Sequence, residues 1–263
     1  MFFAAKQPYY TCYQIIKERK MANQLMQFFA DIPDEKSREL VRQKTEQISK
    51  TIEDNTIWTF ACKVKNYNFL NKKAKHAGTI FAGDSIAEMF PVSELLTEQQ
   101  DSCGTPLYNR GISGELSGHF LARLDENILS ISPKNLILII GTNDVAQGIS
   151  AETIRDTIAR VINKVKESVQ EINIILMAIF PVNEYMPDIP SRLMVGIRTN
   201  PAIKALNILL KTLAKKENIH FVDMPPKFMD QQGQFSPDYT FDGLHPNAEG
   251  YAVIAEAIIS LLR

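Results

Sequence analysis

Residues 136–140 read Leu-Ile-Leu-Ile-Ile, with Gly141 directly after them. Successive side chains of a strand point to opposite faces, so an unbroken apolar run must be covered on both sides. That is the condition of an inner strand of a parallel sheet. Four other stretches read as strands of the same kind: 80–82, 106–108, 174–180 and 219–222. Between them the apolar residues fall at helical spacing, over 119–128, 151–169, 201–216 and 247–262, the second of these capped by Ser150. Strands alternating with helices predict an α/β fold, a parallel sheet with helices on both faces. Ligands of such sheets bind at the carboxyl ends of the strands, so the residues that follow each strand are the ones to inspect.

The first 76 residues have a different character. All 12 glycines of the chain lie from Gly78 onward, and residues 1–76 hold only Pro8 and Pro33. Leu25, Phe28, Phe29 and Ile32 form one helical stripe, and Val41, Thr45, Ile48 and Ile52 another, with Asp34 or Ser37 as a cap. Two or three helices ending near Lys75 are expected, giving a helical N-terminal extension (1–76) ahead of the main domain (77–263). The extension reads as helices packed on that domain, as a lid or as a dimer contact. Trp58, Phe60, Tyr67 and Phe69 serve a contact or a core equally well.

After the first strand comes Gly83-Asp84-Ser85, and Ile86 and Ala87 then open a short helix. This places the Ser85 hydroxyl in a tight turn at a strand end, a candidate nucleophile beside helix N-terminal amides. After the second strand comes Asn109-Arg110-Gly111-Ile112-Ser113-Gly114. After the third comes Gly141-Thr142-Asn143-Asp144, after the fourth Pro181-Val182-Asn183-Glu184-Tyr185, and beyond the fifth Asp242-Gly243-Leu244-His245-Pro246. Each motif alone is an ordinary turn. Their joint occurrence along one sheet edge is what carries weight.

Asp242 and His245, three residues apart in one turn, let a carboxylate accept from Nδ1–H and leave Nε2 facing Ser85 as a base. An oxyanion would then find donors in Ser85 N–H, Gly111 N–H and the Asn143 side-chain amide. Asp84 and Asp144 are expected to hold their loops by bonding turn amides. The other histidines (His76, His119, His220) have no comparable setting. Neither they nor the scattered Cys12, Cys62 and Cys103 form a metal-ligand pattern, so no metal or cofactor is expected.

These four blocks together resemble the SGNH (GDSL-type) hydrolase family over residues 77–263. They are most similar to the compact branch that contains the platelet-activating-factor acetylhydrolase catalytic subunits and bacterial relatives. Arg198-Thr199-Asn200, followed by Ile203, Leu206 and Asn207, is similar to that branch as well. The resemblance implies a flavodoxin-like three-layer sandwich around five parallel strands and a metal-free serine esterase. It assigns the nucleophile to Ser85, the base to His245, the orienting acid to Asp242 and the oxyanion donors to Ser85, Gly111 and Asn143. The frame Gly83-Asp84-Ser85-Ile86-Ala87 departs from the Gly-x-Ser-x-Gly elbow of the α/β-hydrolase fold.

The loop over 183–200 is the candidate specificity element, with Tyr185, Met186, Ile189 and Leu193 as candidate substrate contacts. The expected substrates are carboxylic esters of short acyl groups, acetyl first, by analogy with the family. Two other readings stand beside hydrolysis: an acyltransferase using the same acyl-enzyme, and a non-catalytic scaffold that keeps the fold. A net charge of −1 and a pI near 6.4 give no electrostatic footprint for nucleic acid. No run approaches the length of a membrane span, and residues 1–20 contain no signal-peptide core. A cytoplasmic location and a small-molecule ester as partner are therefore expected, with a homodimer as one use of the extension.

Overall fold

The structure, a computed structural model, describes residues 35–96, 104–186, 191–223 and 226–262. Five strands, β1 (Thr79–Gly83), β2 (Leu107–Gly111), β3 (Asn135–Ile139), β4 (Asn173–Met177) and β5 (His220–Val222), form one sheet in the order β2-β1-β3-β4-β5. Every pairing is parallel. This is the flavodoxin-like order, in which the chain reverses direction across the sheet between β1 and β3 and leaves a crevice there.

The central apolar run does what its composition requires. Leu136, Leu138 and Ile140 face one layer with Ile80, Ala82, Ile174 and Leu176. That layer is closed by α4 (Ser117–Asn127), α6 (Ala151–Ser168) and α8 (Asn200–Lys216), through Phe120, Leu124, Ile158, Val161, Leu206 and Leu210. Ile137 and Ile139 face the opposite layer with Phe81, Ile175 and Met177. There α2 (Ser85–Glu88), α3 (Val92–Leu95) and α9 (Ala248–Ile259) supply Ile86, Val92, Tyr251, Ile254 and Ile258. The two faces of a single strand thus nucleate two cores, and burying each large aliphatic side chain contributes about 1.5–3 kcal/mol.

The element ends differ from expectation at two strands. β2 extends to Gly111, so Asn109, Arg110 and Gly111 belong to the strand and the loop begins at Ile112. Two polar residues hid the strand pattern. They are tolerated because Asn109 Nδ2 donates to the Ala87 and Glu88 carbonyls, while Arg110 finds Asn71 Oδ1 through Nε and Nη2 at 3.0 and 2.8 Å. β4 ends at Met177 although residues 178–182 remain buried. Beyond Ala178, whose N–H reaches Val222 O, side-chain amides replace the ladder. Asn207 pairs with both backbone groups of Ile179, and Asn200 with both of Val182.

The chain divides into two units at Lys63/Val64. The long helix α1 (Glu35–Asn71) runs from the first into the second. Where two or three helices were expected, the described part of the extension is this one helix, with Ser37 inside it. The stripe Leu25, Phe28, Phe29 and Ile32, and Asp34, lie outside the described residues, as do the side chains of Val41, Thr45, Ile48 and Ile52. Of the aromatics, Trp58 and Phe69 are exposed, whereas Tyr67 is buried and donates to Gly111 O at 2.6 Å.

Candidate active site

β1 ends at Gly83, where a side chain has no room. A Cβ there would sit 1.6 Å from Ile139 O. The strand can therefore turn tightly against β3, with Asp84 N–H bonded to Ile139 O. Asp84 caps α2 by accepting from Ile86 N–H at 3.0 Å, which leaves Ser85 as the first helical residue. The Ser85 hydroxyl lies 2.9 Å from His245 Nε2, across 160 residues of sequence.

The histidine comes from a turn locked at several points. Asp242 Oδ1 accepts from Leu244 N–H and His245 N–H at 2.9 and 2.7 Å. Its Oδ2 lies 2.7 Å from His245 Nδ1. An ionised carboxylate only accepts, so Nδ1 carries the proton and Nε2 presents its lone pair to Ser85. Burial pushes the Asp242 carboxyl up. The bonds from the His245 ring and backbone and from the Leu244 N–H pull it down further, and the net result is a lowered pKa. Thr240 Oγ1 donates to His245 O and accepts from Gly243 N–H, closing the turn from the other side. Gly243 has φ +84°, and a Cβ there would lie 2.0 Å from Asn183 O. Asn183 N–H donates to Gly243 O, so the loop after β4 carries the turn. Pro246 precedes α9, whose cap Asn247 accepts from Gly250 N–H.

The expected oxyanion donors differ in their settings. Asn143 lies in α5 (Thr142–Ala146), directly after β3. Its Nδ2 donates to Glu115 O at 3.1 Å and its Oδ1 accepts from Arg198 Nη2 at 2.8 Å. Gly111 N–H, by contrast, already donates to Asn109 Oδ1 at 2.9 Å. The space a Cβ would take at Gly111 is filled by the backbone of Glu88, 2.2 Å away. Gly111 therefore lets α2 pack on β2, and its N–H is occupied in this structure. Three residues on, Gly114 has φ +77° and, among the described residues, no atom within 4 Å of where a Cβ would stand.

Asp84 and Asp144 hold backbone, as expected. Asp144 accepts from Ser117 N–H at 3.0 Å and from the Ser117 hydroxyl, fixing the start of α4 against the β3 loop. Burial raises its carboxyl. Asp84 is fully buried, and its Oδ2 has no hydrogen-bond partner among the described residues. Burial raises Asp84 to about 7 against the pull of the Ile86 N–H and the Arg198 charge. Glu115, also pushed up to about 7 by burial, is gripped by Arg123, whose Nε donates to Oε1 at 2.6 Å.

Of the candidate substrate contacts, Tyr185 is 64% exposed. Met186 Cγ lies 3.2 Å from the Cβ position of Gly243, over the Asp242–His245 turn. Ile189 and the side chain of Leu193 lie outside the described residues. Sequence reasoning missed Phe241, which is half exposed and stacks on the His245 ring with centroids 5.7 Å apart. Its one signal was its place next to Asp242. It also missed Arg198, whose Nη2 donates to Asn143 Oδ1.

The sheet order defines an α/β protein of flavodoxin-like topology, with Ser85, His245 and Asp242 in contact at the carboxyl edge of its sheet. A family model described as the GDSL-like Lipase/Acylhydrolase family matches residues 81–253, and the chain belongs to that family. It is a carboxylic ester hydrolase. Among curated proteins it is similar to platelet-activating factor acetylhydrolase IB subunit alpha1 of Pongo abelii, with 28% identity over 195 residues, 73% of this chain and 78% of the relative. The alpha2 subunit of Rattus norvegicus is 28% identical over 200 residues, 73% of this chain and 79% of that one. A solved Streptococcus pneumoniae protein, assigned by name to platelet activating factor, superposes with a TM-score of 0.74 at 27% identity, over 83% of this chain and 99% of its own. A GDSL-like lipase from Bacteroides thetaiotaomicron gives 0.64 at 26%, over 76% and 96%.

Proposed function

We propose that the enzyme cleaves acetyl and other short-acyl esters, through a Ser85–His245–Asp242 relay and an acyl-enzyme, within the domain spanning 77–263. The observation that carries this reading is the continuous chain of contacts from Ser85 Oγ through Nε2 and Nδ1 to Asp242 Oδ2, at 2.9 and 2.7 Å. The short-acyl preference rests on the names of the acetylhydrolase relatives. Tyr185, Met186, Ile189 and Leu193 remain the proposed contacts for the ester, joined by Phe241.

In this mechanism Ser85 Oγ attacks the ester carbonyl while its proton passes to His245 Nε2. The negative charge on the carbonyl oxygen is met by Ser85 N–H and Asn143 Nδ2. Gly114 N–H replaces Gly111 as the backbone donor of the second loop. Support for this change is that Gly111 N–H is occupied by Asn109, whereas Gly114 adjoins the residue whose carbonyl Asn143 touches. The intermediate collapses, the C–O bond to the alcohol breaks, and the alkoxide takes the proton from His245. Water, deprotonated by His245, then attacks the acyl carbon and restores Ser85.

The test is hydrolysis of p-nitrophenyl esters from acetate to octanoate by wild type and Ser85→Ala. Loss of the nucleophile should lower kcat by about 10⁴–10⁶. Acetate should be the best substrate. Undiminished turnover in Ser85→Ala overturns the relay, and a preference for octanoate overturns the short-acyl assignment.

A further inference from the structure

We infer that Arg198 is the positioning residue of the oxyanion hole: its guanidinium fixes which end of the Asn143 amide faces the substrate. The inference rests on the proposed role of Asn143 as an oxyanion donor. Arg198 follows α7 (Ser191–Val195) in the loop between β4 and α8, and it is 9% exposed. Nε donates to Thr142 O and Thr142 Oγ1 at 2.9 and 3.1 Å. Nη1 donates to Met194 O and Val195 O at 3.0 and 2.9 Å. Nη2 donates to Asn143 Oδ1 at 2.8 Å.

An asparagine amide can be turned over with almost no change of shape, and only its neighbours decide between the two orientations. A guanidinium has donors and no acceptor. The end of Asn143 that faces Arg198 must therefore be the oxygen. Glu115 O on the other side is an acceptor and requires the nitrogen there. Turning the amide over would set donor against donor at Arg198 and acceptor against acceptor at Glu115. In the orientation the two neighbours enforce, Nδ2 spends one hydrogen on Glu115 O and keeps the second for the substrate oxygen. The positive charge on the Oδ1 side also polarises the amide, which makes that N–H a stronger donor when negative charge develops.

The fork matters as much as the charge. Arg198 binds the carbonyls at the end of α7 with one nitrogen, Thr142 with another and Asn143 with the third. The loop proposed to read the substrate and the group proposed to stabilise the transition state are therefore held by one planar side chain. A lysine can supply the charge to Oδ1 but has no planar fork to span these acceptors.

The test is a double-mutant cycle on p-nitrophenyl acetate hydrolysis with Asn143→Ala, Arg198→Met, Arg198→Lys and the two combined variants, each checked by its thermal melt. Asn143→Ala should lower kcat by about 10²–10³ with KM within about threefold, as for loss of one oxyanion donor. Arg198→Met should lower kcat by about 10–10² with KM little changed, and Arg198→Lys should recover part of that loss. In the Asn143→Ala background, either change at Arg198 should cost less than about threefold, because the group it acts through is gone. If Arg198→Met does not fold, the lysine cycle carries the same comparison. Losses at Arg198 that multiply in full with Asn143→Ala, or wild-type kcat in the Arg198 variants, overturn the inference. Wild-type kcat in Asn143→Ala instead overturns the reading of Asn143 as a donor, which is a separate result.

Discussion

Asp84 stands one residue before the proposed nucleophile, fully buried, with one oxygen on the Ile86 N–H and the other without a partner among the described residues. Its cost shows in how stability responds to pH. In the unfolded chain this carboxyl ionises near 4. In the folded protein burial holds it protonated up to about 7. Between those values the unfolded state has released a proton that the native state keeps. Its contribution to stability is therefore complete below pH 4, declines as pH rises toward 7, and stays lost above that. The slope is about 1.4 kcal/mol per unit, so the whole effect is at most about 4 kcal/mol. Asp84→Asn removes the titration while keeping an acceptor for Ile86. The stability of this variant relative to wild type should rise by a few kcal/mol between pH 4.5 and 8, read from urea unfolding at several pH values. Parallel pH profiles for the two proteins would show that Asp84 is ionised throughout.

At this same scale, most of the site was legible because the chemistry restricts the residue types. Asp242 and His245 could be paired from their spacing, since one turn brings them together whatever lies around it. Gly111 could not be judged that way. Whether its N–H is available depends on Asn109 folding back onto it from within the strand, a contact that no spacing rule records. Arg198 was visible only as part of a resemblance. Its reach to Asn143 crosses 55 residues and depends on where α7 ends.

Among the elements, the turn over 240–245 and the loop after β4 act as one piece. Gly243 joins them: its carbonyl accepts from Asn183 N–H, its own N–H reaches Thr240, and its φ of +84° leaves no place for a side chain. Gly243→Ala would set a methyl group 2.0 Å from Asn183 O in a conformation that L residues avoid. The backbone must shift, at a cost of about 1–3 kcal/mol. Because Asp242 and His245 lie on either side, the shift also moves Nε2 relative to Ser85. The expected result is a melting temperature lowered by about 3–10 °C and a kcat lowered at least tenfold. A drop in stability with full kcat would mean that the Asp242–His245 pair keeps its geometry without the Gly243 contact to Asn183. The same coupling explains where the strand reading failed. Apolar character continues past Met177 to Val182, but hydrogen bonding passes from the sheet to Asn200 and Asn207, and sequence periodicity reports the first and not the second.

For the whole molecule, the question is where the hydrolase unit begins. The family match starts at residue 81, yet the unit that holds the sheet starts at Val64. The residues between carry bonds the sheet edge depends on. Asn71, 8% exposed, accepts from Arg110 Nε and Nη2 at Oδ1, and its Nδ2 donates to the Asn127 carbonyl and the Ser130 hydroxyl. Tyr67 covers Arg110 at 5.1 Å and bonds Gly111 O, and burial pushes its hydroxyl up to about 12. Without these turns of α1, the Arg110 guanidinium at the edge of β2 loses Asn71 Oδ1 and keeps only the Asn109 carbonyl as acceptor among the described residues, and a lost hydrogen bond to a charged group costs about 1.5–3 kcal/mol. A chain of residues 64–263 should therefore fold and hydrolyse p-nitrophenyl acetate with the kcat of the full chain. A chain of residues 77–263 should melt about 3–12 °C lower. Asn71→Ala in the full chain should reproduce the larger part of that loss, since it removes the acceptor and leaves the helix. Equal melting temperatures for the two shortened chains would place the start of the folding unit at the edge of β1 and make the Arg110 contacts energetically neutral.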